Sequence, residues 1–198
     1  PPTLLPVQVR GAAGDSRAPV VFAAGAKLHN LITQATSLVA GAADAPPEAL
    51  VGQLVVSDIA AKITTPGSSL DLGNAFVVES ILQGTLARAG LTLPADVVRG
   101  AAEVIASAGQ FINAVPASVD TAFLTAVAKA QVVAQGEAAD QLARAARGEV
   151  AADALVAGYT GAALAVKVAA ADAGTVVPIN VTVSDPVVAE TGAGETAY

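Results

Sequence analysis

The side chains that could do chemistry in this chain of 198 residues are few and far apart. His29 is the only histidine, and there is no cysteine. A hydrolytic triad or a zinc site would have to be built around that one imidazole, yet no Gly-x-Ser-x-Gly elbow and no His-x-x-x-His pair accompanies it. With Lys27, Asn30 and Gln34 beside it on a helical stretch, His29 reads as a surface or cap residue. The best-placed carboxylates are Glu137 with Asp140 and Glu149 with Asp153, the second pair spaced i,i+4 so that a helix would put both on one face. A glycosidase needs two such acids across a sugar cleft with aromatic platforms. Six aromatic residues in the whole chain do not furnish them, and the acids read as solvated helix residues.

Other chemistries are excluded on similar grounds. There is no Gly-x-x-x-x-Gly-Lys and no Gly-x-Gly-x-x-Gly after a strand, so no phosphate cradle is encoded; Gly192 and Gly194 mark a turn. Asn180 to Thr182 matches a glycosylation sequon but lies inside a predicted strand. The sequence therefore predicts no enzyme, no catalytic residue and no bound cofactor. Tyr159 differs in kind. Set among Gly158, Gly161 and Ala162, it predicts a close helix crossing covered by the ring, with the hydroxyl finding a polar partner, and hence an interaction role in packing.

The elements that position these residues follow from apolar spacing. Residues 1–23 are rich in Pro and Gly and read as two short extended pieces around a turn. Leu28, Leu31, Ile32, Ala35 and Val39 then fit a helix ended by Gly41, and Pro46, Pro47 and Glu48 open a second through Leu50, Leu54, Val55 and Ile59. This hairpin, 24–66, closes in a polar loop before a longer bundle, 67–174. There Asp71 or Asn74 caps a helix carrying Val78, Ile81, Leu82 and Leu86, with Gly90 as its C′ residue. Val97, Ala101, Val104, Ile105, Ala108 and Ile112 make the clearest amphipathic stripe. Ser118 is the predicted cap of a long helix to Gly148, with Asp140 and Arg144 spaced for a pair, and Leu155, Tyr159, Ala162, Val166 and Ala170 the stripe of the last. Short connections between such helices favour an up-and-down bundle.

Composition narrows the partners. The chain holds 48 alanines, so its helices can approach closely and its cores are thin. A net charge of −7 without a Lys/Arg cluster argues against nucleic acid. From Val168 onward there are four acids and no base, which suits solubility or a divalent cation completed by other residues. The most apolar run, Ala154 to Val166, is too short to span a bilayer, and the first thirty residues lack a signal-peptide pattern.

In the last segment, 175–198, Val177, Ile179, Val181 and Val183 alternate with polar or turn residues, and Asp185 and Pro186 then turn the chain. One strand is not stable alone and must find partners, which marks Val181 and Val183 as interaction residues. The run from Val181 through Thr196 resembles the opening strand of Calx-beta domains, and the helical stretches around Ala130 to Glu137 and Ala157 to Leu164 look like the Ala-rich segment preceding Calx-beta, cadherin-like or RTX-type repeats of large secreted bacterial surface proteins. The resemblance covers residues 70–198. It implies a calcium contribution from Glu190, as one carboxylate of an incomplete site, and an extracellular or cell-surface location. The fold class expected is mainly α: an Ala-rich up-and-down helical bundle with short β segments at both termini. The function expected is structural, assembling or spacing β modules through helix packing and strand pairing, with copies of itself or adjacent modules as partners. A docking subunit of a larger complex is the alternative.

Overall fold

A computed structural model describes residues 17–63, 70–118 and 120–174, and these are mainly helical, with no strand among them. The helices are α1 (Arg17–Ala40), α2 (Glu48–Ile63), α3 (Ala75–Ala89), α4 (Ala95–Ala114), α5 (Thr121–Val133), α6 (Ala139–Ala146), α7 (Ala152–Tyr159) and α8 (Gly161–Ala170). A π-helical turn, Ala134–Ala138, joins α5 to α6 without a break. The predicted β segment over 175–198, with Val181, Val183 and Glu190, lies outside the described residues, as does 1–16. Residues 17–23 are a correction: the predicted extended segment is the first two turns of α1. Pro19 read as a strand or turn residue, but it is the third residue of the helix, where an N–H has no intrahelical acceptor to lose.

Caps fix the registers. Asn74 rather than Asp71 caps α3, its side chain accepting from the Phe76 N–H at 3.0 Å, while Asp71 accepts from the Gly73 N–H at 2.9 Å in the preceding turn. Gly90, at φ 70°, closes the helix in a Schellman arrangement, with the Leu91 N–H donating to the Leu86 carbonyl at 2.9 Å. Asp120, not Ser118, caps α5, accepting from the Phe123 N–H at 2.8 Å. Ser118 instead accepts from the Asp120 N–H one turn earlier. The Phe123 N–H first, and the Ser118 hydroxyl second, hold the Asp120 carboxyl below its usual range.

Buried residues from α1 through α8 form a single apolar cluster. All six residues of the predicted α4 stripe are buried, and α4 packs on α3, α7 and α1 as the central helix. Two contacts show how closely the chain approaches itself. A Cβ at Gly41 would collide with the backbone of Ala143, and one at Gly109 would stand 2.6 Å from the Leu72 carbonyl oxygen. At both places glycine lets main chain touch main chain.

The last predicted stripe needs correcting. Thr160 adopts φ −126° and ψ 162°, Gly161 has φ 52°, and the axis bends by 57° between α7 and α8. The break resets the helical phase, so Leu164 and Val168 continue the buried face of Leu155 and Tyr159, while Ala162, Val166 and Ala170 are exposed.

Candidate functional site

The most developed polar arrangement lies where α8 folds back on the π turn. Glu137, in that turn, accepts a hydrogen bond from the Tyr159 hydroxyl at 2.5 Å and from the Lys167 ammonium at 2.7 Å, both at Oε1. The same ammonium stands 4.7 Å from the centre of the Tyr159 ring, a cation–π contact. Three helical segments are thereby tied together through one carboxylate oxygen. Lys167, then Tyr159, hold the Glu137 carboxyl below its usual range, whereas burial first, and the bond to Glu137 second, push the Tyr159 phenol up. At neutral pH the phenol is a fixed donor and the carboxylate a fixed acceptor. Lys129 adds a further tie, donating to the Ala169 carbonyl at 3.0 Å.

Tyr159 therefore has the polar partner its sequence context predicts, with its ring buried. The close crossing at its glycines is a correction: a Cβ at Gly158 or Gly161 would meet nothing within 4 Å. Gly161 is required for its positive φ, not for contact.

The predicted acid pairs are not brought together in the expected way. Arg144 pairs with Glu149 at 3.2 Å instead of with Asp140, and Arg147 binds the other oxygen of Glu149 at 2.6 Å. Glu149 sits beyond the Gly148 helix stop, so it shares no helical face with Asp153. Its carboxyl is held low by Arg147 and then Arg144, and the Arg147 guanidinium is raised in return.

His29 is a further correction. It is neither a cap nor fully exposed, but half-buried in the middle of α1, with Nδ1 3.1 Å from the Gln135 amide nitrogen. That amide also donates to Asn30 Oδ1 at 2.9 Å, so one side chain of the π turn bridges two consecutive residues of α1. Among the described residues no group of three or more His, Asp or Glu side chains is placed to hold a metal.

Sequence reasoning missed a second clasp, between α2 and α3. Asp58 is buried, accepts from the Thr85 hydroxyl at 3.0 Å and pairs with Arg88 at 3.1 Å, and Arg88 also donates to Ser57 at 2.6 Å. Gly84 makes room, since a Cβ there would stand 3.0 Å from an Asp58 carboxylate oxygen. The signal was an aspartate in phase with Val51, Val55 and Ile59 on an apolar face.

A cavity of about 460 Å³ opens between the start of α4 and the α6–α7 turn, lined by Pro94, Asp96, Val97, Arg147 and Asp153 among others. Its polar groups already have work elsewhere: Arg147 binds Glu149, and Asp96 and Asp153 lie in the first turns of α4 and α7, where acids offset the helix dipole. No single described helix is long and apolar enough to cross a membrane; the bent pair α7–α8 passes that test by length and composition only.

No protein-family model, curated protein or solved structure matches the chain.

Proposed function

We propose that this chain is a structural and interaction segment of an extracellular bacterial surface or matrix protein. In this reading an Ala-rich up-and-down bundle with short β segments at its ends spaces or assembles β modules, by helix packing and by pairing of terminal strands with neighbouring modules or further copies. The observation that carries it is where the polar side chains go. Asp58 with Thr85 and Arg88, and Glu137 with Tyr159 and Lys167, join segments of the body to one another, while Glu149 with Arg144 and Arg147 ties the end of α6 to its own turn. Such ties suit a body that must hold its shape between neighbours. We read it as non-enzymatic, with Glu190 as one carboxylate of an incomplete calcium site.

The test is mass in solution, by light scattering after size exclusion, with calcium and with chelator. Species larger than a monomer, or growing with calcium, are expected; a monomer indifferent to both overturns assembly between copies. The second reading, a subunit docking onto a larger complex, is favoured by Phe76, 81% exposed at the start of α3, with Ile63, 58% exposed, at the same end of the α2–α3 pair. Lys62 donating to Ser80 at 2.6 Å places those two ends side by side.

A further inference from the structure

Helix α1 lies inside the body, yet it carries Asn30 and Gln34 one turn apart on a single face. Gln34 is 0% exposed, and neither its Oε1 nor its Nε2 has a hydrogen-bond partner. Asn30 is nearly as buried; its Oδ1 accepts from Gln135, while its Nδ2 has none. Buried side-chain amides in folded proteins are almost always satisfied, by protein or by ordered water. Three such atoms within one turn of one helix mark a site.

Two contacts fix what faces it. Asn30 meets Gln135 in the π turn, and Gly41, on the same side of α1, meets Ala143 in α6. Gln34 lies between them and so stands level with Ala138 and Ala139, both buried. Ala138, in the π turn, and Ala139, at the start of α6, belong to segments that α1 packs against. The donor and acceptor count defines the occupant. Asn30 Nδ2 and Gln34 Nε2 donate and Gln34 Oε1 accepts, so it must accept twice and donate once while carrying no charge. Water does this, and buried waters in proteins typically make about three hydrogen bonds.

We propose that Asn30 and Gln34 hold ordered water between α1 and the π turn, as a built-in part of the core. Thr36 does not belong to this site: its unpartnered Oγ1 is turned toward Gly52 of α2.

The test uses the whole chain, labelled with nitrogen-15. The side-chain amide protons of Gln34 and Asn30 should show cross-relaxation with a long-lived water, and a high-resolution crystal map should show density within hydrogen-bond reach of both. Cross-relaxation to protein protons alone, with no such density, overturns the proposal. Gln34→Leu supplies an independent arm. It should abolish the water signal at Asn30 and lower the melting temperature by several degrees; a Leu variant that melts higher than the parent overturns the proposal, because relief of unpartnered amides would then be the gain.

Discussion

The two carboxylate clasps use the same parts in different surroundings. Between α2 and α3, Asp58 is 7% exposed, with a hydroxyl donor and a guanidinium; between the π turn and α8, Glu137 has a phenol donor and an ammonium but its side chain is 54% exposed. Burial decides what each is worth. A carboxylate out of water needs its partners, because removing one strands a charge with a desolvation cost of several kcal/mol behind it. A carboxylate at the rim is rehydrated when a partner leaves, and exposed pairs of this kind contribute about 0–1 kcal/mol. The inner clasp thus governs stability and the outer one mainly governs where α8 lies.

Mutations can break this contrast in order of size. Gly84→Val puts a side chain where the Asp58 carboxylate sits, and should destabilise by about 3 kcal/mol or more in denaturant unfolding, since it expels a buried charge from both partners. Thr85→Val keeps the shape but removes the hydroxyl donor, and should cost about 1–3 kcal/mol in the same measurement. Tyr159→Phe removes one donor from a hydrated carboxylate and should cost about 1 kcal/mol. Glu137→Gln should cost about 1 kcal/mol at most, and added salt should erase most of the difference from the parent while leaving the Thr85→Val deficit intact. A Glu137→Gln loss as large as that of Gly84→Val would dissolve the distinction.

Acidification sharpens the comparison further. Because the folded-state pKa of Glu137 is lowered, its stabilisation is complete above the unfolded value, about 4.3, and is lost as pH falls through the lower folded value. Melting temperature should therefore decline below about pH 4.3, less steeply in Glu137→Gln. On the alkaline side the raised phenol of Tyr159 gives the opposite sign: stability is complete below about pH 10 and falls as pH rises beyond it, a loss that Tyr159→Phe should remove.

Much of the helical framework was legible because apolar period and caps agree. Val78, Ile81, Leu82 and Leu86 are buried as the spacing predicts, Gly90 stops α3, and the α4 stripe is the centre of the core. The misreadings share one cause, that a local signal was outweighed by geometry it does not encode. Pro19 breaks helices only in their interiors, and here it falls in a first turn. Thr160 and Gly161 shift the last stripe by two residues, from Ala162 and Val166 to Leu164 and Val168, which no periodic reading across them can follow. Asn30, Gln34 and Asp58 are polar by type and drew no core reading, while their positions in phase with buried neighbours place them inside. Glu137 was visible as a carboxylate, but its partners lie 22 and 30 residues away in sequence, beyond any spacing rule.

The backbone contacts at Gly41 and Gly109, together with the carboxylate seat at Gly84, have a consequence for recognising kin of this chain. Where main chain meets main chain, inheritance tolerates no larger side chain, while an alanine-rich exterior can drift among many small or polar residues without harm. Descendants of a common ancestor would thus agree at the glycines 41, 84 and 109 as well as in the buried core and its inner clasp. A search keyed to those positions, instead of to overall likeness, is the one suited to finding them.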